Sequence, residues 1–525
     1  MQRFYFIPIV CLIFTIQIFG QEKNPVLEKE YFKHEYARYQ RLFESQSRNE
    51  SMAGDNFDAK YYKIDITITT SPEYVRGIVT MNAVSLVSNL TVITLDLMNS
   101  LTVDSVKVGG GPVSFTQYPS SINITLNRTY TNGELFQVIL YYQGVPGSSG
   151  FGSFEYYSHS GIPWVWSLSE PYGAKDWWPC KDHPVDKADS VDILVTCNSA
   201  FKVGSNGKLI SVVNNGNGTS THFWKSVYPI STYLVSVALT NYAEFSNWFK
   251  YTPTDSMEVL NYVLPEHLSS AQSGLPRAVD GLEIFSDLYG LYPFINEKYG
   301  HSEFGWGGGM EHQTMTSLGG FSEGLVIHEL SHQWFGDMIT CRTWPDLWLN
   351  EGFATYSEAL YNERKYGTSS YWSTINYEIT SAKNASGTLY LQDTSSVGSM
   401  FSYSRVYAKG ATVLHMLRHV LGDSLFFAAI YNYANDPRFK YGTAITTDFQ
   451  EVCENTSGMD LDYFFNEWVF GESYPRYEYN WIAEQIGNDY LVTVIINQST
   501  PSSNPPFFTM PVDLRVISGD WDTTV

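Results

Sequence analysis

From Tyr61 to about Tyr242 the chain alternates apolar and polar residues in short runs, "YKIDITIT", "LTVITLDL" and "ELFQVILYY" among them, broken by clusters of Gly, Asn, Pro and Ser. Period-two alternation gives each strand one apolar face, and the breaks carry turn chemistry, so this stretch predicts a large antiparallel β domain. After about Phe245 the period lengthens. "PRAVDGLEIFSDLYG", "VIHELSHQWFGD", "DLWLNEGFATYSEALYNERKYG" and "VYAKGATVLHMLRHVLG" space their apolar residues three and four apart, which predicts a mainly helical second domain. From about Pro475 strand alternation returns in "YEYNWIAEQ", "DYLVTVIINQ" and "FFTMPVDLRVIS". Three strands seldom make a stable sandwich alone, so the sequence is expected to end inside a third domain. The expected class is multidomain α+β, divided as 21–245 (N-terminal β domain), 246–474 (helical domain) and 475–525 (start of a β-sandwich domain, incomplete at Val525).

Composition narrows the function. With 525 residues the chain is long enough for several cores. Its 32 Lys and Arg against 54 Asp and Glu, a formal charge of -22, exclude a nucleic-acid partner, because counterion release needs clustered cations. The opening "MQRFYFIPIVCLIFTIQIFGQEKN" sets Arg3 before an apolar run from Phe4 to Phe19 and then turns polar, the pattern of a secretory signal peptide over residues 1–20. The mature chain would start at Gln21 with no membrane span left, and the location would be secreted, periplasmic or extracellular. Ile18 fits the small position before the cut poorly, which keeps a retained N-terminal anchor as the alternative. Cys180, Cys197, Cys341 and Cys453 remain beyond the signal, an even number whose pairing spacing does not reveal.

Chemistry concentrates in "VIHELSHQWFGD". On a helix His328 and His332 share one face, while Val326, Leu330 and Trp334 form a stripe nearly opposite; Gly336 is expected to end the helix. Glu329 lies beside the histidine face, within reach of a water at a metal but poorly placed to ligate it. Zinc needs a third protein ligand and an open fourth position. Glu351 follows His332 after eighteen residues on its own predicted helix, with Thr355 and Glu358 on the same face. Two histidines and one glutamate make a hydrolytic zinc site, one Zn2+ per chain.

The spacing H-E-x-x-H, eighteen residues, then E within "LNEGFA" resembles the aminopeptidase N family of gluzincin metallopeptidases, and further strings extend the resemblance over most of the chain. "GGGMEHQT" is similar to the family's Gly-x-Met-Glu-Asn exopeptidase motif, with Gly308, Gly309, Met310 and Glu311 matching and His312 in place of Asn. "EPYGAKDWWPCKDHPVDKA" is similar to an N-terminal signature in which Glu170 takes the position that reaches the active site. "VYAKGATVLHML" is similar to the segment of the catalytic tyrosine, which gives that role to Tyr407. The resemblance implies a saddle-like N-terminal β domain, a thermolysin-like catalytic domain, and a secreted zinc aminopeptidase acting on peptides with a free N-terminus. His328, His332 and Glu351 would hold zinc, Glu329 would be general base and acid, and Tyr407 would stabilise the oxyanion. Glu170 and Glu311 would hold the substrate's ammonium, and the Gly308–Met310 backbone would line up the peptide. Lys187, Asp337, Trp344 and Asp346 sit in family-like strings and are expected to pack or support, Asp337 as a candidate for orienting a ligand histidine.

Two other readings share these residues. A thermolysin-like zinc endopeptidase would use the zinc residues but not Glu170 and Glu311, and an inactive peptide-binding protein on a peptidase scaffold would tolerate the loss of Glu329 or a ligand. Leukotriene-hydrolase-like epoxide hydrolysis is required by nothing in the sequence.

Overall fold

The computed structural model of the chain describes residues 53–524 apart from 488, 519 and 520. The expected signal peptide, Cys11 and the first part of the 21–245 domain lie outside the described residues. Phe57–Thr70 and Glu73–Ser85 form a long antiparallel hairpin closed at Ser71–Pro72. Phe57, Ala59, Tyr62, Ile64, Ile66 and Ile68 point inward, and the alternation slips between Ala59 and Tyr62 because a bulge at Ala59/Tyr61 inserts one residue. This hairpin is central to an eight-stranded sheet. The order is Lys208–Asn214, Thr219–Ser226, Ser190–Asn198, Phe57–Thr70, Glu73–Ser85, Leu135–Gly144, Leu101–Val108 and Gly111–Pro112. One pairing departs from the antiparallel expectation: Phe57–Thr70 runs parallel to Ser190–Asn198, with Tyr61 opposite Ser190. The excursion between them, residues 71–189, is long enough to return the chain to the same end of the sheet, as a parallel pair requires.

A four-stranded sheet (Lys202–Ser205, Val237–Thr240, Ile162–Leu168, Ser153–His159) covers the seam with the helical half. There a mixed five-stranded sheet takes the order Ala243–Lys250, Ser256–Val263, Tyr299–Glu303, Thr316–Leu318 and Gly309–Met310. The boundary expected at 245/246 falls inside Ala243–Lys250, which pairs along its whole length with Ser256–Val263 and so belongs with the second half. Gly309–Met310 is the edge strand, antiparallel to Thr316–Leu318.

Two helices carry the histidine motif and its distant glutamate. The histidine helix, Glu323–Ser331, starts at extended Ser322 with Glu323 in its first turn and buries Leu325, Val326, Ile327 and Leu330 almost completely. It ends five residues before Gly336, correcting the expected length. Gln333 and Trp334 N–H bond three residues back, and the N–H groups of Asp337, Met338 and Ile339 bond five residues back, wide turns that unwind the helix toward Gly336. The glutamate helix, Trp348–Tyr366, is buried through its first fourteen residues, so polar and apolar side chains alike are enclosed.

One hydrophobic core fills the N-terminal sheets and continues to Met310, Trp344, Val406 and Tyr407, and a second fills the helical half. The site therefore rests on the seam of the two halves. All four described cysteines are buried thiols with no disulfide. Arg476–Ile486 and Asp489–Ser499 form one C-terminal hairpin, and Arg515–Ser518 and Trp521–Thr524 another. No described helix is long and apolar enough to cross a membrane.

Candidate metal centre and substrate site

His328 Nε2, His332 Nε2 and Glu351 Oε2 form a triangle with sides of 3.2, 3.3 and 3.3 Å. Three ligands held at roughly 2.0–2.1 Å in a tetrahedron are about 3.3 Å apart, so these atoms match one face of a tetrahedral zinc site and leave its fourth vertex open. Both histidines are held from behind. His328 Nδ1 lies 3.1 Å from Glu358 Oε1 and His332 Nδ1 lies 3.0 Å from the Phe335 carbonyl oxygen; donation there turns each Nε2 lone pair inward. Burial works to lower His328, but its hydrogen bonds to Glu351 and Glu358 outweigh burial and raise it well above the usual histidine range. Burial would raise Glu351, yet the His332 charge and the hydrogen bonds to both histidines hold it down at about 2. Glu351 is thus ionised, as a metal needs, and a metal bound here would displace the proton that His328 holds against it.

Sequence reading placed Glu358 on the Glu351 face without giving it a task. Its signal was the spacing of seven residues, two helical turns, behind a ligand. Glu358→Gln is expected to weaken divalent-metal binding by about 10- to 100-fold, measured by titration against a competing chelator. Asp337 does not take that part. Its carboxyl oxygens have no hydrogen-bond partner among the described residues, burial pushes it well above the carboxylate range, and His332 turns to Phe335 instead. Lys187 reaches the same turn from the N-terminal half, donating to the carbonyls of Asp337 at 2.6 Å and Met338 at 3.1 Å. Burial draws its ammonium down to about 7 against the opposing pull of Asp337. Trp344 packs edge-on against Tyr172 and Tyr233, and Asp346 accepts from the Thr446 N–H and hydroxyl, so both support the fold around the site.

The edge strand runs directly over Glu329. A Cβ on Gly309 would come within 2.4 Å of the Glu329 carboxyl, so any larger residue there would have to displace the Glu329 side chain. Gly308 closes the turn by accepting from Gly319 N–H at 2.7 Å, and Met310 is buried opposite Ser317. His312, the departure from the family pattern, is fully buried with Nδ1 2.9 Å from Ser317 Oγ, and burial lowers it to about 3. It is a neutral brace between the edge strand and its neighbour.

Glu311 comes to the metal face itself: donor atoms of Glu311, Glu329 and His332 all lie within 4.8 Å of one another. Glu311 Oε1 is buried without a hydrogen-bond partner, and burial raises the carboxyl, with His332 opposing. Glu170, also buried, belongs to the same neighbourhood. Burial lifts the Tyr233 hydroxyl well above its ordinary value, and the charges of Glu311 and Glu170 both add to that rise.

Tyr407 arrives on a π-helical turn, Tyr403–Lys409, its ring stacked on His328 at 6.1 Å and on Tyr403 at 5.7 Å. Such wide turns recur at functional sites because they re-aim a side chain out of helical register. The next helix, Gly410–Leu421, meets the glutamate helix where Gly352 and Gly410 touch: a Cβ on either would lie within 3 Å of the other's Cα. That contact sets the spacing between the carriers of Glu351 and Tyr407.

Comparison with known proteins places these elements in context. Residues 58–234 match the Peptidase M1 N-terminal domain and residues 315–468 the Peptidase family M1 domain. The chain is 27% identical over 343 residues to probable aminopeptidase 2 of Sulfurisphaera tokodaii, covering 61% of this chain and 42% of that protein. It is 27% identical over 385 residues to endoplasmic reticulum aminopeptidase 1 of Mus musculus, covering 67% and 41%. The chain thus spans about two fifths of the length of these relatives. In fold it is similar to a mutant M1 zinc metallopeptidase from Deinococcus radiodurans, with a TM-score of 0.72, 24% identity, and 81% of this chain and 96% of that one covered. A complex of the latter with a Tyr-Ser-Ala substrate matches at a TM-score of 0.69 and 24% identity, covering 79% and 95%.

Proposed function

Because the chain belongs to peptidase family M1, we propose that it is a zinc aminopeptidase, releasing the first residue of peptides that have a free N-terminus. The apolar run at the start of the chain supports its action outside the cytoplasm. One observation favours this reading over an endopeptidase: Glu311, a buried carboxylate with an unpartnered oxygen, stands at the metal face itself. An α-ammonium satisfies it by a hydrogen bond assisted by opposite charge; an internal peptide bond offers only a neutral N–H and no compensating charge.

His328, His332 and Glu351 would hold zinc, which when bound supplies a Lewis acid and brings the pKa of water toward neutrality. Glu329 takes the proton of the attacking water on its carboxylate and passes it to the leaving amine nitrogen. The Tyr407 hydroxyl donates to the oxygen of the scissile carbonyl as negative charge gathers there. Glu311 and Glu170 hold the substrate ammonium, which fixes the cut at the first peptide bond. Gly308, Gly309 and Met310 offer an unpaired strand edge along which the peptide lies as an added strand. Burial of Glu170, Glu311, Glu329 and Tyr407 to within a few per cent keeps water from competing with these contacts.

The test is one unstructured peptide in free and N-acetylated forms, with products identified by mass spectrometry. Stepwise loss of residues from the free form alone, stopped by a chelator, is expected; equal internal cleavage of both forms would leave an endopeptidase. Glu311→Gln should lower kcat/KM on the free peptide by about 10- to 100-fold, the loss of one hydrogen bond between charged groups.

A further inference from the structure

Away from the metal centre, a cavity of about 460 Å3 opens where the helical half meets the C-terminal strands. Ile379, Met416, Trp468, Pro475, Met510 and Val512 contribute apolar wall, and the volume falls within the range of small-molecule pockets, roughly 300–1,000 Å3.

Two lining residues carry donors that need acceptors. Trp468 is 6% exposed, and its Nε1–H has no hydrogen-bond partner among the described residues. Lys409 is 5% exposed and donates to the Gly471 carbonyl at 3.1 Å, one acceptor for an ammonium with three protons. Burial lowers Lys409 to about 8, with Glu472 pulling the other way, so the group is largely charged at neutral pH. Lys383 and His419 also line the space, and Asp513, the one carboxylate in the lining among the described residues, lies 3.7 Å from His419 Nε2.

A cation entering here would meet Lys409 and Lys383, and a purely apolar molecule would leave the buried indole N–H and the ammonium unsatisfied. We propose that this cavity binds a monocarboxylate with an apolar tail, its head on Lys409 and Trp468 and its tail along Ile379, Met416 and Met510. The site is separate from peptide hydrolysis and does not depend on the reading of the metal centre. A free fatty acid and the C-terminal residue of an apolar peptide share this chemistry.

Calorimetric titration of decanoate, and separately of N-acetyl-Leu-Phe, into the purified full chain tests the proposal. One site is expected, with at least tenfold weaker binding in Lys409→Met, which removes the charged donor, and in Met416→Trp, which fills the space. Decanol, with the same tail and no carboxylate, should bind at least tenfold more weakly than decanoate. The tighter of the two carboxylates identifies the source. Glu351→Ala removes a metal ligand, the other place where a carboxylate could bind, and should leave the affinity unchanged. Binding lost in Glu351→Ala but kept in Met416→Trp would overturn the proposal, as would equal affinity for decanol or no binding of either carboxylate.

Discussion

Replacing Glu329 with Gln is expected to cut kcat by about 10²- to 10⁴-fold while metal content and affinity for a free peptide stay close to those of the parent. The amide keeps the size and shape of the carboxylate but cannot accept the water proton at neutral pH. Size matters because Gly309 passes immediately over this side chain. A bulkier replacement would push the edge strand away and confuse lost proton transfer with lost substrate alignment. The measurement is kcat and KM on a fluorogenic amino-acid amide, with zinc counted by atomic absorption. If metal content fell together with kcat, Glu329 would have to be reassigned to holding the metal. Preserved turnover would remove it from the chemistry altogether.

Glu351→Ala should have the larger effect on the centre as a whole, removing metal and activity together. Two histidines remain without the carboxylate that completes the triangle, and a zinc site with two protein ligands is one short of the catalytic minimum. The expected result is less than a tenth of the parent's bound zinc after dialysis and no turnover above the chelated parent. Stability supplies an independent readout. A ligand present at 1,000 times its Kd stabilises the fold it binds by about 4 kcal/mol. Chelator should therefore lower the melting temperature of the parent and leave that of Glu351→Ala unmoved. A variant that still melted lower on chelation would show that His328 and His332 find another third ligand.

The parts of the site legible in sequence are those whose chemistry sets their spacing. His328 and His332 must be one helical turn apart to face one ion, and the helix that presents them leaves that period in the sequence. Glu351 could be proposed as the third ligand that a zinc site needs, on its own helix eighteen residues beyond His332, but Glu311 could be found only through a string resembling a family, because nothing local says that an upstream carboxylate will fold back onto a pair of histidines. The structure brings both to the histidines. Glu358 stayed hidden because a glutamate on a helix is ordinary until its partner is known. Asp337 was a candidate for orienting a ligand histidine because it sits in a family-like string, but unwinding beyond Ser331 turns His332 to the Phe335 carbonyl instead. Strand alternation outlined the N-terminal sheets, yet it cannot show direction, so the parallel pairing of Phe57–Thr70 with Ser190–Asn198 and the shared strand at Ala243–Lys250 emerged only from the fold.

The reach of Lys187 into the turn behind the histidine helix bears on how the protein can be taken apart. Its ammonium belongs to the β half, and the carbonyls it satisfies belong to the motif half. A fragment cut near Ala243 would carry His328, His332 and Glu351 but would lack Lys187, Glu170 and the apolar floor beneath Met310 and Tyr407. The motif is thus not a portable cassette. Gene fusions or domain swaps that keep activity will have to transplant both halves together, and engineering aimed at one half should be screened for damage to the other.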